Sequence, residues 1–136
     1  MYKTTLVTGL IQEGERLIEL LESRRFHIAA AFWYYFEDII RWRLVIVFSS
    51  LVEREGPLRA YIGIQEALTK MQAKELSVSD ISVMRLNGYE FRELRPAIER
   101  SGRVVSHDPM TRPKDTVFED MYVYRWLSDG SRPYRP

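Results

Sequence analysis

The chain has 136 residues, a formal charge of +1 at pH 7, no cysteine and an apolar fraction of 46%. A domain of that length removes about two-thirds of its unfolded surface from water, so it needs no metal or disulfide staple. The missing cysteines exclude a disulfide framework, a thiolate nucleophile and a cysteine-ligated zinc, and the near-neutral charge argues against a nucleic-acid coat protein.

The first predicted element is a helix over residues 8–25, with Leu10, Ile11, Gly14, Leu17, Ile18 and Leu21 on one face. Glu13, Glu15, Arg16, Glu19 and Glu22 are assigned to the other face, and Arg24-Arg25 suits the negative end of the helix dipole. Residues 27–36 are too aromatic to favour a helix and read as a strand that is apolar on both sides, hence central. Residues 41–48 read as its antiparallel hairpin partner.

Residues 52–56 read as a polar loop, and Pro57 opens a helix to about residue 72. A strand over 80–86 ends at the turn signal Asn87-Gly88. A helix over 89–100 follows, with Pro96 expected to kink or restart it. Residues 102–114 are irregular, with a brief strand possible at Val104-Val105; a last strand covers 117–127, and 128–136 form a frayed tail.

The order α-β-β-α-β-α-β predicts one α+β domain over residues 1–127. Its mainly antiparallel sheet should have four to five strands, with helices packed on one face. Extension of residues 2–7 would instead allow a split-βαβ arrangement.

Chemistry-bearing residues are sparse. There are two histidines: His27 opens an apolar strand, and His107 sits in a loop beside Asp108. Asp115, Glu119 and Asp120 bring more carboxylates near His107, but the spacing matches no metal motif, so no metal and no cofactor is expected. Glu37-Asp38 punctuates the hairpin, and no phosphate loop, nucleophile elbow or dinucleotide fingerprint is present. No catalytic residue is assigned.

The predicted strands collect Phe32, Trp33, Tyr34, Tyr35, Phe36, Trp42, Phe48, Phe118, Tyr122, Tyr124 and Trp126, with Arg41, Arg43 and Arg125 interleaved. Three roles compete for this set: an aromatic core, a self-association surface, or a face that stacks bases and contacts phosphates. The candidate binding residues are therefore Trp33, Tyr35, Arg41, Arg43, Arg125 and His107. A non-enzymatic domain that pairs with itself or with another protein is favoured. The rival is a nucleic-acid-binding protein or nuclease with Arg41, Arg43, Arg125, His107 and Glu119 near one cleft. No apolar run reaches the ~18 residues of a membrane span, and the N-terminus lacks a signal peptide's apolar segment, so a cytoplasmic protein is expected.

Trp42-Arg43-Leu44-Val45-Ile46, Leu51-Val52 and Glu55-Gly56-Pro57 resemble segments of a group of small bacterial α+β proteins with no established activity. Ile64-Gln65-Glu66-Ala67-Leu68, Asp80-Ile81-Ser82-Val83 and Glu119-Asp120-Met121-Tyr122-Val123-Tyr124-Arg125 extend the similarity over most of the chain. The resemblance implies a standalone bacterial domain and carries over no site residue. Glu37-Asp38-Ile39-Ile40 departs from it, because a more polar turn is expected there.

Overall fold

The computed structural model describes residues 6–100 and 121–127. Its elements are α1 (Thr8–Ser23), β1 (Ile28–Phe36), β2 (Arg41–Phe48), α2 (Leu51–Glu55), α3 (Pro57–Lys70), a 3-10 turn (Val78–Asp80), β3 (Ile81–Arg85), α4 (Tyr89–Arg100) and β4 (Met121–Trp126). They form an α+β domain around one four-stranded sheet of order β3-β2-β1-β4. β1, which is apolar on both sides, and its hairpin partner β2 occupy its centre.

β1 pairs antiparallel with β2 and β4, whereas β2 and β3 run parallel. A parallel neighbour needs a crossover of a dozen residues or more. The α2–α3 segment supplies it between β2 and β3.

Leu17, Ile18 and Leu21 of α1 and Ala60, Ile64, Ala67 and Leu68 of α3 pack with Trp33, Tyr35, Trp42, Leu44, Ile46 and Phe48 on one sheet face. The expectation of helices on one face holds for these two. Helix α4 lies on the other face, where Phe91 and Ile98 meet Phe32, Val45, Val47, Val123 and Trp126. A central strand that is apolar on both sides has to be covered twice, so the third helix takes the second face.

The pairing of β1 is irregular in two places, between Ile28 and Ala30 against β2 and between Ala31 and Phe32 against β4. Ile28 joins the α1 face while Ala29 and Ala30 both join the α4 face, because β1 has a register shift between Ile28 and Ala30. A bulge of that kind inserts one residue and reverses the alternation beyond it.

Three local expectations change. Residues 52–56 were expected as a loop, but Leu51–Glu55 is a helical turn. Val52, 3% exposed, is buried in the core, and Gly56 at φ 87° separates α2 from α3. Packing of one valine thus overrides a polar sequence. Helix α4 runs through Pro96, which lies on the exposed side, where solvent can reach the Arg92 carbonyl left without its usual donor.

Glu13 is the third. It was assigned to the solvent face, yet it is buried and accepts the backbone N–H groups of Lys74, Glu75 and Leu76 at 2.9, 2.9 and 2.8 Å. Burial pushes its carboxyl pKa upward, but the three N–H donors and nearby Arg16 outweigh burial and hold the pKa below its ordinary value. Glu13 thereby ties α1 to the segment following α3.

A second lock joins α1 to the sheet. The Trp33 indole N–H donates to the Tyr124 hydroxyl at 2.9 Å, and that hydroxyl donates to the Ile11 carbonyl. Gly14 is required beneath it, since a Cβ there would collide with the Tyr124 hydroxyl. Val104-Val105, the tail, residues 2–5 and residues 117–120 of the last predicted strand lie outside the described residues.

Candidate functional site: an arginine cleft

The sheet does not assemble the predicted binding residues. Trp33 and Tyr35 are 1% and 5% exposed, sealed under α1 and α3. Arg41 and Arg43 lie on the opposite face by strand alternation, opposite Phe36 and Tyr34 of β1. Both guanidinium groups reach the start of β3. Arg43 donates to the Ser82 hydroxyl at 2.6 Å and to the carbonyls of Ile81 and Ser79 at 2.8 and 3.1 Å. Arg41 donates to Asp80 at 2.9 Å and to the Ser79 carbonyl at 3.1 Å.

Arg125 is on β4, across the sheet, where it forms a two-pronged pair with Glu22 at 3.1 and 2.9 Å. The Glu22 bond, acting against the cost of burial, raises the guanidinium's affinity for its proton. His107 and Glu119 lie outside the described residues. Arg41 and Arg43 are thus employed together at the start of β3, and Arg125 at a separate joint with α1.

The aromatic set is mainly core. Phe32, Trp42, Phe48, Tyr124 and Trp126 are buried along with Trp33 and Tyr35, while Tyr34, Phe36 and Tyr122 are half-buried. Base stacking needs an uncovered ring face. Both sides of this sheet carry helices.

The arginines that the fold leaves over converge elsewhere. A cleft of about 170 Å³ opens where α1 ends, β1 starts and α2 leads into α3, lined by Arg24, Arg25, His27, Arg54, Glu55 and Arg59, with Phe26, Ser50 and Leu51. Four arginines and one glutamate are among its lining residues. Glu55 contacts Arg54 at 3.3 Å and Arg59 at 3.5 Å, and Arg24 approaches Glu66 at 3.9 Å. These are exposed pairs, worth little individually. The Arg25 side chain has no ion pair or hydrogen bond among the described residues.

Local sequence explains how the cleft is built. The Phe26 and Phe48 rings lie 5.9 Å apart, and Gly63 of α3 leaves room for the Phe26 ring, which a Cβ at that position would strike. Phe26 is therefore an anchor between Arg25 and His27, and it fixes where both depart from the core. The Ser49 amide donates to the His27 carbonyl at 2.8 Å, which brings Ser50 and α2 to the same end of the sheet.

Arg25 itself holds φ at 73°. The Phe26 amide bonds the Leu21 carbonyl and the Arg25 amide bonds the Glu22 carbonyl, each at 3.0 Å, which is the helix-ending pattern that favours glycine. A side chain in that conformation costs about 1 kcal/mol. Arginine thus occupies a position where the backbone prefers glycine, and no side-chain hydrogen bond or ion pair among the described residues offsets that cost.

Sequence patterning missed this site. Arg24-Arg25 had a sufficient explanation in the helix dipole, Arg54 lies in a segment expected to be a loop, and Arg59 lies in the helix expected from Pro57. The one available signal was the arginine bias: lysine occurs only at positions 3, 70, 74 and 114. Among the described residues no helix is long and apolar enough to cross a membrane, and no group of three or more His, Asp or Glu could hold a metal. No family model, curated protein or solved structure matches the chain.

Proposed function

We propose that this chain is a non-enzymatic binding domain of the bacterial cytoplasm that engages an anionic partner through the Arg24, Arg25, Arg54 and Arg59 cleft. The observation that carries it is a small concave surface whose lining includes four arginines and one acidic residue. Like charges held close together repel, and a bound anion relieves that repulsion while accepting their hydrogen bonds.

The test is a titration with inorganic phosphate and with citrate, followed by backbone amide NMR. Shifts should concentrate at residues 24–27, 50–55 and 59, weaken as sodium chloride rises, and diminish in Arg54→Ala. Amide shifts scattered over the surface, or insensitive to salt, would remove the proposal.

Self-association is a second proposal, favoured by a different observation. Ile39 and Ile40 are 54% and 53% exposed at the β1–β2 hairpin tip, and Ile40 holds φ at 52°. A β-branched residue there is strained, and apolar side chains at a hairpin tip gain nothing from water. Sedimentation should show a dimer that Ile39→Ser with Ile40→Asn converts to monomer. A monomeric parent at micromolar concentration would exclude it.

A further inference from the structure

We infer that the group taken by the arginine cleft is a phosphate monoester, recognised by its dianionic terminal oxygens. This inference rests on the anion-binding proposal and narrows its ligand. Size is the first argument. The cleft, about 170 Å³, lies below the ~300 Å³ at which pockets enclose drug-sized ligands, so it accommodates a compact head group and leaves the rest of the ligand outside.

Charge is the second. A phosphate monoester presents three strong acceptor oxygens and a charge of about −1.5 to −2 near neutrality. Guanidinium forks match such oxygens in pairs. Four lining arginines, with Glu55 as the lining carboxylate and Glu66 beyond it on Arg24, suit that acceptor count, whereas a single carboxylate would leave most of their donors unmet.

Shape is the third. A nucleic-acid strand repeats one charge every ~3.4 Å and is met by an extended basic stripe. Here Arg24 and Arg25 end one helix, Arg54 and Arg59 flank Gly56, and all four close on one depression. Of the strand arginines, Arg41 and Arg43 are bonded at the start of β3 and Arg125 is bonded to Glu22, so none of them extends the cleft into a stripe. The converging arrangement fits one phosphate, not a run of them.

Arg25 supplies an independent observation. Its backbone conformation favours glycine, and its guanidinium makes no ion pair or hydrogen bond among the described residues, so no internal polar contact accounts for an arginine there. Gln72 at the end of α3 has the same helix-ending pattern, with φ 55°, but does not line the cleft. It serves as the internal control.

The experiment is calorimetric titration of the full chain with O-phosphoserine, inorganic phosphate, sulfate, citrate and an oligothymidylate lacking terminal phosphate, in parallel with thermal melting of Arg25→Gly, Gln72→Gly and Arg54→Ala. O-phosphoserine should bind best. Arg25→Gly should weaken it about tenfold or more, as loss of one charge-assisted contact does, while melting at a higher temperature than the parent. Gln72→Gly should melt higher with binding unchanged, and Arg54→Ala should fold normally and bind more weakly. A phosphoserine peptide that exceeds free O-phosphoserine in affinity assigns the source to a protein partner; equal affinity assigns it to a small phosphorylated metabolite. Citrate or sulfate binding as tightly as O-phosphoserine, with the same arginine dependence, would overturn the monoester assignment and leave the anion cleft standing. Preferential binding of the oligothymidylate would overturn it in favour of nucleic acid. No binding by any probe would overturn both.

Discussion

Two sets of polar side chains in this molecule invite comparison. At the start of β3, Arg41 and Arg43 donate to Ser79, Asp80, Ile81 and Ser82, and across the core Glu13 receives three backbone amides. At the other end of the β1–β2 pair, Arg24, Arg25, Arg54 and Arg59 face a cleft with Glu55 and Glu66 as distant or solvent-exposed partners. Glu13 and Arg43 in the first set bond backbone groups that folding wholly or partly removes from water. The second set satisfies almost nothing internal. Charged residues whose loss should unfold the protein can therefore be told from those whose loss should leave it folded and unable to bind.

The sharpest break would come at Glu13. Glu13→Ala strands three amide donors and should destabilise the fold by about 3 kcal/mol in urea unfolding. An effect below about 1 kcal/mol would place Glu13 with the dispensable set. Acid titration gives the same residue a second test. Its pKa is lower in the native state than its ordinary value of 4.5, so the folded form binds that proton less readily than the unfolded chain. Its stabilising contribution is complete above the unfolded pKa and declines as pH falls through the lower native value. Glu13→Gln should flatten that acid limb of the stability profile.

Arg43→Ala should cost about 2 kcal/mol, because three hydrogen bonds from a half-buried cation are lost. Anion affinity at the cleft should not change. Arg25→Gly should act in the opposite sense, stabilising by roughly 0.5–1 kcal/mol once the added freedom of the unfolded chain is set against the relieved strain. Smallest of all, Arg54→Ala should alter unfolding by less than about 0.5 kcal/mol, as expected for an exposed ion pair. Large destabilisation by Arg54→Ala would dissolve the distinction between the two sets.

Much of the fold was legible from periodicity. The 3.6-residue stripe of α1, the two-sided apolar strand β1 and its hairpin with β2 all follow from side-chain spacing, since burial acts on every residue of those segments at once. α2 was hidden because a single buried Val52 holds it, and one residue makes no period. Glu13 was misplaced for a related reason. Its amide partners are more than 60 residues away and are backbone groups, which leave no trace in residue type. The placement of the candidate binding residues was hidden on the same ground: Arg41, Arg43 and Arg125 alternate with aromatics in the sequence, but Arg41 and Arg43 meet the start of β3 while Arg125 meets Glu22 of α1.

What the sequence determined by itself was where the chain avoids water: which segments are helices or strands, that β1 and β2 pair, and that no cysteine chemistry is available. Tertiary structure alone decided which charges are consumed and which are left to bind. The physical reason is range. Hydrophobic periodicity is written in neighbours a few residues apart, whereas a guanidinium's role depends on the oxygen it meets, and in the cleft the side chains that converge come from positions 24 to 59.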